Sequence, residues 1–178
     1  MATTTLVTVQ EFLQMPEPEG QKLELIGGEV VSMGRGKIPH EVVKKNLNKI
    51  LVVWLARNPI GELFPETMYQ LDDHNALIPD LGVVFPGRTN PTSAGWMQAA
   101  SELEIEVVSW ESADRLVEKV DLYLAHGSKS VWVVYPKRRV IHVFDANGQF
   151  RKFNQSQILE DPVLPGFSTP VSAIFEGI

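Results

Sequence analysis

The chain has no cysteine. That excludes a disulfide framework and any thiolate-bound metal, and it fits a reducing cytoplasm. No run of apolar residues approaches the length of a membrane span, so no membrane partner is expected. The first residues, Met1-Ala2-Thr3-Thr4-Thr5, lack the basic stretch and apolar run of a signal peptide. There is no P-loop, no G-x-G-x-x-G and no G-x-S-x-G, and nothing calls for an organic cofactor. His74, His126 and His142 show no zinc spacing. Basic residues are not in excess either. Lys and Arg number 16 against 22 Asp and Glu, a formal charge of −6, which argues against indiscriminate binding to nucleic acid but leaves room for a local basic groove.

What is present suits one soluble α/β domain over residues 1–178, a length that supports one real core but not two comfortable ones. Thr8-Val9-Gln10-Glu11 has capping-box spacing and predicts a short helix stopped by Pro16 and Pro18. Gly27-Gly28 separates two short strands as a hairpin turn does. From about Pro39 to Arg57, Val43, Leu47, Ile50, Leu51 and Trp54 fall on one helical face, with Lys44 and Lys45 off it. Short strands follow around Gly61–Phe64 and Met68–Leu71, and a longer one is expected from Leu77 to Phe85. Pro86 to Ala100 reads as a long loop. A strand over Leu103–Val108 leads into a helix ending near Gly127, then Val131–Tyr135 and Val140–Phe144 pair across the basic turn Lys137-Arg138-Arg139. The strand–helix–strand passage predicts a parallel pair.

Two acids stand out. Side chains alternate along a strand, so Ile78, Asp80, Gly82 and Val84 are expected on one side of the first run, and Glu104 and Glu106 on one side of the second. Aspartate is a poor strand residue, and a buried carboxylate is costly unless a cation offsets it. Taken singly, each acid reads equally well as a solvated or turn residue. Together they point to a hard-cation site: Mg²⁺, or Mn²⁺ in its place, prefers carboxylate oxygens, water and a substrate phosphate. Phosphodiester hydrolysis uses that set. Lys119 borders the apolar stripe of Leu116, Val120 and Tyr123 and can reach back toward the sheet. Glu24 on the first hairpin and His40 at the start of the long helix are further candidates. Alone, each of the three reads as an ordinary surface residue.

The order and spacing of Leu23-Glu24-Leu25-Ile26-Gly27-Gly28-Glu29, His40, Pro79-Asp80, Glu106-Val107-Val108-Ser109, Lys119, Tyr123, Trp132-Val133-Val134-Tyr135-Pro136 and Leu164-Pro165-Gly166-Phe167 resemble one family over nearly the whole chain. It is the putative restriction-endonuclease family (Uma-two, domain of unknown function 820) of the PD-(D/E)XK nuclease superfamily. The resemblance implies a restriction-endonuclease-like α/β fold: a mixed central β-sheet flanked by helices, with added N-terminal and C-terminal β-hairpins. It implies a Mg²⁺-dependent endonuclease acting on DNA, in which Asp80, Glu106 and the Val107 carbonyl hold metal, Lys119 stabilises the attack, and Glu24 and His40 assist. Val108 stands where the superfamily has its lysine, and Lys119 on the following helix matches the migrated position. Trp110 replaces a usual proline and Tyr135 a usual aspartate. A homodimer, the commonest oligomer, would set two sites on one duplex. The rival readings are a nucleic-acid-binding or regulatory domain that keeps the fold without turnover, and an interaction module whose acids only form salt bridges.

Overall fold

The computed structural model describes residues 6–16, 18–19, 21–34, 36–88, 91–92, 95–109 and 112–178. Trp110 lies outside them. A short helix, α1 (Val9–Phe12), opens the chain, and its capping box is formed: the Glu11 N–H donates to the Thr8 hydroxyl while the Thr8 N–H donates to the Glu11 carboxylate at 2.8 Å. Strands β1 (Lys22–Ile26) and β2 (Glu29–Met33) follow. They pair antiparallel about Gly27-Gly28, whose φ values of 57° and 77° are those of a tight hairpin turn. Helix α2 spans Ile38–Leu55, with Pro39 in its first turn.

Four strands come next: β3 (Glu62–Pro65), β4 (Tyr69–Asp72), β5 (Asn75–Leu77) and β6 (Leu81–Val84). The Leu77 to Phe85 run is therefore not one strand. Pro79 has no N–H to give a ladder, and around it the chain leaves one sheet and enters another: β5 pairs β1 and β4, whereas β6 pairs β3 and β8. The loop expected over 86–100 also contains a short strand, β7 (Met97–Gln98), parallel to β4.

Strand β8 (Leu103–Val107) then leads to helix α3 (Ala113–Ala125), capped by the Ser112 hydroxyl. The remaining elements are β9 (Ser130–Tyr135), β10 (Val140–Asp145), β11 (Phe150–Asn154), β12 (Ile158–Leu159), β13 (Thr169–Pro170) and α4 (Val171–Ile174). The larger sheet runs β11-β10-β9-β8-β6-β3, with β8 and β9 parallel and its other pairs antiparallel. The smaller one runs β2-β1-β5-β4-β7 and carries the N-terminal hairpin at its edge.

Alternation in the larger sheet divides the core. Leu103, Ile105 and Val107 of β8, with Trp132 and Val134 of β9, pack against Val43, Leu47 and Leu51 of α2 and against the tail residues Leu164 and Phe167. Val131 and Val133 face the other way, toward Leu116, Val120 and Tyr123 of α3 and toward Ile26, Tyr69 and Leu77 of the smaller sheet. The same alternation turns Glu104 and Glu106 to that second side. Both are thereby buried between two sheets and a helix, 0% and 2% exposed. Among the described residues no helix is long and apolar enough to cross a membrane.

Candidate active site

The switch between sheets places Asp80. It follows Pro79 immediately before β6, and Leu81 pairs with Ile105, so Asp80 stands where the ladder with β8 would otherwise continue. The Val107 N–H, left without a strand partner on that side, donates to Asp80 Oδ2 at 2.7 Å. The N–H and C=O of a strand residue point the same way. The Val107 carbonyl is thus turned past the end of β6, toward Asp80 and the cleft that both residues line. Glu106 lines this cleft too, and its volume is about 330 Å³.

His40 enters from the first turn of α2. Its Nε2 lies 3.1 Å and 3.2 Å from the two Asp80 oxygens, and its Nδ1 lies 3.0 Å from Glu41 Oε1. Burial disfavours charge on the ring, but the hydrogen bond and charge of Asp80 outweigh it, and the His40 pKa is raised. An imidazolium here can donate to a carboxylate or, if that carboxylate turns to another partner, to an anion.

Beneath the cleft is a buried ionic cluster. The Lys119 ammonium lies 2.7 Å from Glu106 Oε1 and 3.0 Å from Glu24 Oε1. The Tyr123 hydroxyl donates to Glu106 Oε1 at 2.7 Å, and the Ile78 N–H donates to Glu24 Oε1 at 2.7 Å. Lys119 is 0% exposed. It does not border the helix stripe, as its spacing suggests, but belongs to it. Two acids on the facing strands make that interior position fit for a cation, because an ammonium between carboxylates is better solvated there than a methylene would leave them. Glu24, reached from β1, shares the cluster. All five candidate side chains, Asp80, Glu106, Lys119, Glu24 and His40, therefore meet around one place, with Asp80 just before β6, Glu106 on β8 and Lys119 on α3.

Glu104 lies one alternation away from Glu106 and accepts from the Ser101 N–H at 2.7 Å. Burial pushes its carboxyl up to about 8, against the lowering effect of the Ser101 hydrogen bonds and of Lys119. Its Oε2 has no hydrogen-bond partner among the described residues. Gly82 makes room for this corner. A Cβ there would collide with the Tyr69 hydroxyl and stand 3.0 Å from Glu104 Oε2.

Another set on the cleft wall leaves little trace in the sequence. Lys44 Nζ lies 2.6 Å from Glu66 Oε1 and 3.0 Å from Glu41 Oε2, while Lys22 Nζ lies 2.5 Å from Glu66 Oε2. One signal was present: Lys44 is four residues after His40, on the same side of the helix. Glu66 carried none, since it sits in a turn with φ 49° fixed by tertiary contacts.

The donor set suits a hard divalent cation. No group of three or more His, Cys, Asp or Glu side chains gathers at a metal site among the described residues. Asp80, Glu106 and the Val107 carbonyl instead offer hard oxygen donors of the kind that leave room for several waters.

Comparison with known proteins fits this architecture. The crystal structure of a putative nuclease belonging to domain of unknown function 820, from Anabaena variabilis, is similar to the chain with a TM-score of 0.83. The match covers 95% of this chain and 97% of that one at 20% identity, a likeness of fold. No curated protein matches the sequence. The model of the Uma2 family, described as putative restriction endonuclease, matches residues 9–172, and the chain belongs to that family.

Proposed function

We propose that the protein is a divalent-metal-dependent endonuclease that hydrolyses phosphodiester bonds in DNA. The observation that carries this reading is the meeting of Asp80, Glu106 and the Val107 carbonyl in one cleft, backed by a buried lysine. Asp80, Glu106 and the Val107 carbonyl would hold Mg²⁺ or Mn²⁺. A cation bound there would neutralise charge on the scissile phosphate and lower the pKa of an attacking water.

The chain's own groups have distinct tasks. Lys119 and the Tyr123 hydroxyl both engage Glu106 Oε1, which orients that carboxylate. Lys119 is a positioning residue on this reading, because full burial keeps its ammonium away from a phosphate in the cleft. Glu24 also engages Lys119. His40 steadies Asp80 and places a cationic ring at the mouth of the site, where negative charge would develop on the substrate. A homodimer would bring two such clefts to the two strands of one duplex.

A time course on supercoiled plasmid with Mg²⁺ or Mn²⁺ tests the assignment. Wild type should nick or linearise the plasmid. Asp80→Asn and Glu106→Gln should each reduce the rate by about a hundredfold or more, the scale of losing one preorganised electrostatic group. Nicking that persists undiminished in both variants would identify a contaminant and remove the enzyme reading. Binding without cleavage by wild type on duplex, single-stranded and supercoiled DNA would favour a regulatory domain on the same fold.

A further inference from the structure

The cleft carries a charge arrangement that metal binding alone does not use. Glu66 stands in the turn after β3, in left-handed backbone that a non-glycine side chain rarely adopts. Its N–H donates to the Asp80 carbonyl at 3.2 Å. From this fixed point its carboxylate spans two elements: one oxygen meets Lys22 of β1, the other meets Lys44 of α2. Both lysines line the same cleft as Asp80 and Glu106. A carboxylate with one oxygen on each of two ammonium groups occupies them as the two non-bridging oxygens of a phosphodiester would.

Charge decides which occupant prevails. The cleft holds Lys22 and Lys44 against Glu41, Glu66, Asp80 and Glu106, a formal excess of two negative charges, or of one when His40 is protonated, that opposes an incoming phosphate. A bound divalent cation cancels that excess. The Glu66 side chain is 41% exposed and Lys22 50%, so the carboxylate can turn to water at little cost, whereas Lys44, at 18%, is held against the cleft wall. Once Glu66 turns away, the cleft becomes positive.

We propose that Lys22 and Lys44 are the phosphate-binding pair of this cleft, and that the Glu66 carboxylate is an internal phosphate mimic that the substrate's phosphodiester displaces. The proposal rests on the nuclease reading for the identity of its ligand, a DNA phosphate beside the scissile bond.

The test is fluorescence anisotropy with a labelled DNA duplex in Ca²⁺, a divalent cation used here to allow binding without hydrolysis, over a series of salt concentrations. Lys22→Ala and Lys44→Ala should each weaken binding about five- to tenfold and lower the salt slope by about one. Glu66→Gln should tighten binding by about fivefold, because the mimic loses its charge. Melting curves identify any variant that is not folded, and Lys44→Gln replaces Lys44→Ala if that one is not. Unchanged affinity and slope in both lysine variants would overturn the pair. Unchanged or weaker binding in Glu66→Gln would overturn the mimic. Plasmid cleavage by wild type, scored in parallel, separates the two claims. Cleavage with neutral lysine variants sinks the pair alone, while the expected slopes without cleavage sink the nuclease reading and leave the pair standing.

Discussion

Removing the Lys119 ammonium would leave Glu24 and Glu106 buried without the cation that both engage. Breaking a buried pair by deleting one partner typically costs about 3–5 kcal/mol, so Lys119→Ala should lower the guanidinium midpoint markedly as well as impair activity. A surface lysine would show almost no such shift. Coupling checks the cause: the Lys119→Met, Glu106→Gln double variant should be less destabilised than the two single variants summed. Glu104 makes the opposite case, a buried acid kept neutral. Its folded pKa of about 8 lies above the ordinary carboxylate value of 4.5, so between those values the folded state binds the extra proton. Stability then falls as pH rises through this window and levels off above about 8. Against Glu104→Gln, which cannot titrate, wild type should lose on the order of 4 kcal/mol more between pH 5 and pH 8.5. Parallel pH profiles in the two proteins would locate the titration elsewhere.

At the scale of elements, the regular pieces were legible and the break that makes the site was not. Periodicity marked α2 and α3, Gly27-Gly28 marked the first hairpin, and the strand–helix–strand rule gave the parallel β8–β9 pair. These follow from local geometry and from a sheet buried on both faces. Leu77 to Phe85 failed because apolar alternation continues straight through a proline at which the chain changes sheets. Periodicity reports which side of a strand is buried, not which sheet the strand belongs to. The consequence is chemical. Had the strand run on, Asp80 would be one more inward side chain on a ladder. Because it stops, the Val107 N–H meets a carboxylate in place of a strand. Lys119 was legible as a candidate but not as a buried one, since helix spacing put it beside the stripe while only the facing acids explain why it goes inside. Glu66 and Lys22 were not legible at all, because the turn that joins them across the cleft is set by contacts distant in sequence.

For the whole molecule, a net charge of −6 and a cleft with surplus carboxylates oppose an incoming anion, so on the proposed reading anion binding is coupled to cation binding. The coupling has a thermodynamic signature that does not depend on turnover. A ligand that binds only the folded state stabilises it by RT ln(1 + [L]/Kd), about 2.7 kcal/mol at a hundredfold excess over Kd. For a chain of this size each kcal/mol moves Tm by about 2–4 °C, so saturating Mg²⁺ or Mn²⁺ should raise Tm by roughly 5–10 °C. Asp80→Asn should lose most of that rise, since it removes charge from the side of the cleft that β6 leaves open. It should also release His40 from its carboxylate partner, and the metal-free variant should therefore show a lower His40 pKa by NMR than metal-free wild type. The two readouts divide the alternatives. An equal metal-induced Tm rise in wild type and Asp80→Asn would place the cation away from this cleft. A lost rise with an unchanged His40 titration would keep the cation at Asp80 but show that the His40–Asp80 contact does not persist in solution.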